Sequence, residues 1–202
     1  DPLGQEVSYG YDLNDNVVAI TNPLGQVTRM SYDANGNLTN LTDALGYNTA
    51  WMFNTSGLNT AVILPGGQTN AMSYDSIGRL QSSADAAGWT TTLEYDDLDR
   101  VVRANYGDGT HADSEYSCCG LEAVVDRLGR RTSYTRDALG RITAIENAAG
   151  HGVGFAHDPL GNITNLSIPV GLETHTTAFE YTPTNGFSRL TRRVSPLGKT
   201  QS

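Results

Sequence analysis

Four histidines, His111, His151, His157 and His175, are the side chains of this 202-residue chain best suited to hold a metal ion or to move a proton near neutral pH. Their spacing serves neither purpose. None stands in a His-x-x-x-His pair or at ligand distance from a cysteine, and each occupies a different place in the local pattern. Cys118 and Cys119 are adjacent, where a disulfide would be strained, so they read as two turn thiols or as one thiol bonded elsewhere. Asp12, Asn14 and Asn16, and likewise Asp33, Asn35 and Asn37, offer oxygen at alternate residues as a calcium loop does. Calcium loops, however, gather several carboxylates and often a closing Glu. Here most of the oxygens are amides, of the kind that cap turns. No Ser-His-Asp order, phosphate loop or dinucleotide fingerprint is present, so no catalytic residue, cofactor or metal is expected. A row of tyrosines remains, and exposed Tyr rings can stack on sugars.

Those tyrosines belong to a period. Tyr11-Asp12, Tyr32-Asp33, Phe53-Asn54, Tyr74-Asp75 and Tyr95-Asp96 stand 21 residues apart, and Tyr116 continues the series. A chain with such a period is read repeat by repeat. With the aromatic as position 0, Gly or a substitute follows at +4, Arg or Asn at +5, an aliphatic residue at +6 and often +9, and a second glycine at +14. The second glycine is the more faithful: Gly25, Gly46, Gly67, Gly88, Gly109, Gly150 and Gly171, with Gly129 one residue early because the repeat at Tyr116 has lost its Arg slot. Gly198 follows the same rule near the end. Arg136 and His157 replace the aromatic while Asp137-Ala138-Leu139-Gly140-Arg141 and Asp158-Pro159-Leu160-Gly161-Asn162 keep the turn. Three extra residues before Tyr181, and three more before Arg189-Leu190, are expected to form loops. Nine repeats start at residues 11, 32, 53, 74, 95, 116, 136, 157 and 181.

The two glycines of a repeat leave room for one strand on either side. Both turns share a signature, Asp or Asn with Gly three residues later, as in Asn22-Pro23-Leu24-Gly25, Asp43-Ala44-Leu45-Gly46 and Asp126-Arg127-Leu128-Gly129. The acidic side chain is expected to accept backbone N–H groups two and three residues on, and the glycine to take the positive φ that returns the chain to antiparallel pairing. Thr28-Met30-Tyr32, Thr49-Trp51-Phe53, Thr91-Leu93-Tyr95 and Thr132-Tyr134 alternate with period two, so the aromatic row reads as a packing ladder along one face. The aliphatics at +6 and +9 (Val17 and Ile20, Leu38 and Leu41, Ile142 and Ile145, Ile163 and Leu166) differ in parity, which requires either a bulge or two partly covered faces. The fold class is therefore all-β: about 18 strands in β-hairpin repeats along one long antiparallel sheet. Flat, it would run about 86 Å at roughly 4.8 Å per strand, and sheets of that length curve and coil.

Composition agrees with this organisation. Charged residues make up 17% of the chain and 22 residues are Gly, a turn-rich balance. The formal net charge of −9, with 13 dispersed basic residues, argues against a nucleic-acid surface. No apolar run is long enough to span a bilayer as a helix. Sequons at Asn37, Asn40, Asn54, Asn162 and Asn165 suit an extracellular surface. The chain opens with Asp1-Pro2-Leu3-Gly4, which fits the second turn of a preceding repeat. All 202 residues are thus expected to be one repeat array cut from a longer chain in mid-repeat at both ends.

Tyr74-Asp75-Ser76-Ile77-Gly78-Arg79-Leu80, with Tyr32-Asp33-Ala34-Asn35-Gly36-Asn37-Leu38 and Asp137-Ala138-Leu139-Gly140-Arg141-Ile142, resembles the YD repeat of the RHS family, and the likeness runs along the whole chain. The family includes bacterial secreted and surface proteins, toxin-complex shell subunits and teneurins. The resemblance implies a spiralling antiparallel sheet enclosing a cavity, often with a toxic C-terminal domain inside. This sequence is too short to close such a shell and carries no recognisable core segment with its processing site. The expected role is non-catalytic: an extracellular or cell-surface wall, shell or filament segment. Its partners would be neighbouring repeats or other copies, met through sheet edges, or an encapsulated cargo; nucleic acid and membrane insertion are not expected. The alternatives are a glycan- or protein-binding module with exposed tyrosines, and a part of a toxin-delivery protein.

Overall fold

A computed structural model describes residues 6–118, 120–184 and 187–201. Cys119 and the opening turn at Asp1–Gly4 lie outside the described residues. Nineteen strands and no helix are found among them, and the strands pair antiparallel. The chain divides into two compact units, residues 1–93 with 106–108, and residues 94–105 with 109–202.

The first unit holds β1 (Ser8–Tyr11), β2 (Val17–Thr21), β3 (Val27–Tyr32), β4 (Leu38–Thr42), β5 (Asn48–Phe53), β6 (Asn59–Ile63), β7 (Thr69–Tyr74), β8 (Leu80–Ala84) and most of β9 (Thr90–Tyr95). The second holds most of β10 (Val101–Tyr106), then β11 (His111–Ser117), β12 (Gly120–Val125), β13 (Arg131–Arg136), β14 (Ile142–Glu146), β15 (Gly152–His157), β16 (Ile163–Val170), β17 (Glu173–Thr184), β18 (Phe187–Val194) and β19 (Thr200–Gln201). Within each unit every strand pairs with its sequence neighbour. Seven of the nine repeat starts end a strand, whereas Tyr116 and Tyr181 lie inside β11 and β17. The two-residue β19 is the nineteenth.

The turn chemistry is uniform, and it corrects one expectation. At Asp33 the backbone N–H donates to the Asn37 carbonyl (2.9 Å) and the Gly36 N–H to the Asp33 carbonyl (3.1 Å), a type I turn closed by a bulged residue. Asp33 Oδ1 then accepts the N–H groups of Asn35 and Asn37, both at 2.9 Å. The side chain thus serves the groups two and four residues on. The third is taken by the backbone carbonyl, so it is closed to the carboxylate. The same two backbone bonds close fourteen turns among the described residues. Gly36 has φ +83 with nothing within 4 Å of an added Cβ, so glycine is favoured there by conformation rather than by space. Where +4 is not glycine, Asp15 (φ 63) and Asp99 (φ 61) take the left-handed conformation themselves.

A bulge accounts for the parity of +6 and +9. In the β3–β4 pair Met30 faces Leu41 and Tyr32 faces Leu38, with a register shift between Ser31 and Tyr32. One extra residue, Thr39, lies between, and both aliphatics land on the aromatic face. The shift recurs before Tyr11, Phe53, Tyr74, Tyr116, Arg136, His157 and Tyr181. At three of the threonines in this place the side chain anchors the bulge: the hydroxyls of Thr39, Thr60 and Thr191 donate to the carbonyls of Ser31, Met52 and Glu180 at 3.1, 3.2 and 3.2 Å.

Two local departures follow from chain length. The three-residue insertions expected as loops lengthen strands instead. Pairing runs unbroken from Asn165 opposite Ala178 to Val170 opposite Glu173, around Gly171 and Leu172. It continues in the next hairpin to Thr184 opposite Phe187, around residues 185 and 186, which lie outside the described residues. The three inserted residues and three taken from the turn lengthen each arm equally, so the pairing continues and the turn shrinks from five residues to two. Conversely, loss of the Arg slot collapses the turn after Tyr116 to two residues, with Ser117 opposite Gly120. Cys118 is exposed at that tip.

The apolar ladder is only half-buried. Among the described residues Ala61, Ala123 and Thr177 alone are buried. The residue before a turn glycine points fully outward: Leu24, Leu45, Leu128, Leu139 and Leu160 are between 73% and 84% exposed.

Candidate functional site: a latched turn rim

The turns that follow position 0 are where the recurring polar residues meet. In six of them a donor at +5 closes on the second oxygen of the Asp at +1. Asn16 and Asn37 donate their side-chain amides to Asp12 and Asp33 Oδ2 (3.0 and 2.9 Å), and Asn162 does the same to Asp158 (2.8 Å). Arg79, Arg100 and Arg141 donate Nε to Asp75, Asp96 and Asp137 Oδ2, each at 2.7 Å. Asp126 and Arg130 form the same clamp in a turn of the other kind. The preference for Arg or Asn at +5 therefore comes from reach: both carry an N–H donor that returns to the carboxylate.

The clamps polarise the carboxyls. The side-chain amides of Asn16, Asn37 and Asn162 hold Asp12, Asp33 and Asp158 below their ordinary value. The arginine side chains do so for Asp75, Asp96 and Asp137, and at Asp126 the Arg130 backbone N–H is the main cause. On β10 and β11, Arg103 donates Nε to Asp113 at 2.6 Å and lowers that carboxyl likewise.

A second set of bonds links successive repeats. The hydroxyl of Tyr32 donates to the Val17 carbonyl (3.0 Å) and that of Tyr74 to the Asn59 carbonyl (2.8 Å), each 15 residues back. Arg136, standing where an aromatic is usual, donates Nε and Nη2 to the carbonyl of Leu121, also 15 residues back, and Nη1 to Gly140. Arginines at +5 reach the other way: Arg100 Nη1 donates to Ser117 O (3.2 Å) and Arg141 Nη1 to Asp158 O (2.7 Å), each 17 residues on. Arg100 also lies over the Tyr116 ring, 4.4 Å from its centroid. Neither set of links was read from the sequence. The common offsets of 15 and 17 residues are its only trace there.

The structure scatters the histidines. His111 Nε2 lies 3.5 Å from Asp113 Oδ2 and His175 Nε2 3.9 Å from Glu173. His151 donates its backbone N–H to Asn147. His157 ends β15, its Nδ1 buried and without a hydrogen-bond partner. No group of three or more metal-ligating side chains forms among the described residues. The tyrosine row is not uniform: Tyr11 is 58% exposed, whereas Tyr32, Tyr74 and Tyr95 are half-buried.

The model of the RHS repeat family matches residues 1–27, 11–49, 74–111 and 121–153, together more than half of the chain. No curated protein matches. Among solved structures, a TcdB2-TccC3-Cdc42 complex is similar over 95% of this chain and 13% of its own, at TM-score 0.56 and 13% identity. A Tc holotoxin pore of Photorhabdus luminescens is similar over 94% and 13%, at TM-score 0.56 and 12% identity. TcdB2-TccC3 without its hypervariable C-terminal region is similar over 92% and 10%, at TM-score 0.54 and 16% identity. At these identities the likeness is one of fold, and the chain spans between 10% and 13% of the chains it matches.

Proposed function

The chain belongs to the RHS repeat family, and from that premise we propose that it is a wall-forming segment of a secreted or cell-surface protein, a run of hairpins whose task is to continue a sheet around or beneath something else. One observation carries this reading. The recurring polar side chains are spent on the array itself: Asp on its own turn, Arg or Asn on that Asp, and Tyr or Arg on the carbonyl of the preceding repeat. A side chain whose donors are committed to the backbone holds shape. The phenols of Tyr32 and Tyr74 are engaged in this way, which weighs against an aromatic platform for sugars. Enclosure of cargo, and membership of a toxin-delivery protein, extend the same proposal to the longer parent.

Sheet edges supply the test. β1 pairs with β2 and β19 with β18, and an unpaired edge is a template for another strand. The purified chain is expected to associate through its edges, seen as growth in light scattering and as short ribbons in electron micrographs. A monodisperse monomer, or specific retention on a glycan array, would overturn the wall reading.

A further inference from the structure

Among the described residues of the first unit the rim latches are not evenly distributed. Between the turns at Asp12 and Asp33 the tie is Tyr32 to Val17; between those at Asn54 and Asp75 it is Tyr74 to Asn59. Arg100 ties its turn to Ser117, Arg136 ties to Leu121, Arg141 to Asp158, and the Asn162 amide to the Ser188 hydroxyl at 2.9 Å. Between the turns at Asp33 and Asn54 the two candidate donors are Asn37, whose amide bonds Asp33 and, among the bonds described, reaches no further, and Phe53, which has no donor.

The neighbouring ladder repeats the weakness. Phe53 faces Asn59 across β5 and β6, where the other described repeats place Tyr, Arg or His opposite an aliphatic residue. Asn59 Oδ1 is buried there without a partner, although its Nδ2 donates to the Met52 carbonyl across the ladder at 3.3 Å. β4 and β5 last pair at Asn40 and Ala50, so beyond that point toward the rim their ends run on without ladder bonds. In the equivalent place a phenol bridges β2 and β3. Away from that rim β4 and β5 share two side-chain ties, from the Thr42 hydroxyl to Asn48 Oδ1 at 3.1 Å and from the Asn48 amide to Asn40 Oδ1 at 3.4 Å.

We propose that the β4–β5 junction is a built-in seam of the first unit, opening before the β2–β3 and β6–β7 junctions and from the side of Phe53, and that the missing phenolic hydroxyl is what makes it so. Opening there would let the array flex or part at a fixed repeat while the latched hairpins on either side stay paired. This holds whether or not the wall encloses anything.

Hydrogen exchange on the whole chain tests it. Peptides covering residues 38–53 are expected to exchange faster than the corresponding peptides 17–32 and 59–74. Phe53→Tyr places a hydroxyl 15 residues beyond the Leu38 carbonyl, as Tyr74 is placed beyond Asn59. It should slow exchange in 38–53 by about 2- to 12-fold, the span expected of one added hydrogen bond, and leave 59–74 unchanged. Tyr74→Phe should speed exchange in 59–74 by the same factor. Equal protection of the three segments in the wild-type chain would overturn the seam. So would an unaltered rate in 38–53 for Phe53→Tyr, or an unaltered rate in 59–74 for Tyr74→Phe.

Discussion

The guanidinium of Arg136 occupies the place of a tyrosine hydroxyl: it donates to the carbonyl of Leu121 from the position at which Tyr74 donates to Asn59. Two unlike side chains satisfy one requirement, a donor at the tip of a long arm, 15 residues beyond its acceptor. Arg136→Met keeps length and apolar stem but removes every donor, leaving the Leu121 and Gly140 carbonyls without that partner. A loss of about 1 to 3 kcal/mol is expected in urea denaturation. Arg136→Lys should recover only part of it, because an ammonium lacks the planar fork that meets both carbonyls.

Position +4 demands a left-handed backbone, and Asp15 supplies it against its own preference. Asp15→Gly is expected to raise stability by about 0.5 to 1 kcal/mol, since the relief of strain exceeds the added freedom of the unfolded chain. Gly36→Ala should cost about 1 to 2 kcal/mol although its Cβ would meet nothing. Thermal midpoints of the two variants, moving in opposite directions, check the point.

Acid should unfold the array through its turns. The carboxyls of Asp75, Asp96 and Asp137, bonded to arginine side chains, are held below the ordinary value of 3.8 in the folded chain. The unfolded chain therefore takes up protons first as pH falls. The stability these groups contribute is present above 3.8 and is lost progressively below it. Urea midpoints measured from neutral pH downward should fall steeply once this value is passed. In Asp137→Asn the side-chain oxygen can still cap the turn, as that of Asn147 does, but the ion pair is gone. That variant should be less stable at neutral pH and lose less on acidification.

The bulged threonines give a further check. Thr39→Val and Thr60→Val preserve shape and strand preference while removing the hydroxyl that holds the extra residue to the facing strand. Each is expected to cost about 0.5 to 1.5 kcal/mol in urea denaturation. Thr49→Val, on the alternating strand, carries no such bond among those described and should stay within about 0.5 kcal/mol of the parent.

The hairpin array was legible because its signals are local. A turn residue, its glycine and a period-two strand lie within a few residues of one another, and repetition makes each copy vouch for the next. The bulge could be narrowed to two options from Leu38 and Leu41 but not decided, since parity alone does not say whether the second face is covered. The clamp between Asp75 and Arg79 was visible as a spacing without its cause. The latches from Tyr74 and Arg136 were not visible, because their acceptors are backbone carbonyls, which every residue has and which no sequence pattern marks. The long strand Glu173–Thr184 reads as loops in the sequence, because residues added within a hairpin look, in one dimension, like an interruption.

The bulge before position 0 also bears on how such a chain finds its partners. An array of near-identical hairpins invites mispairing, and a slip of two residues is the most tempting error because it keeps every side chain on its proper face. Here that slip would move the extra residue away from its place opposite the aromatic, as at Ser31 and Tyr32, and break the fixed distance to the turn. Each hairpin thus carries its own alignment mark. A wrong pairing would be recognised within a single repeat, before any neighbour is laid down on it, and a long monotonous sequence can grow without accumulating errors.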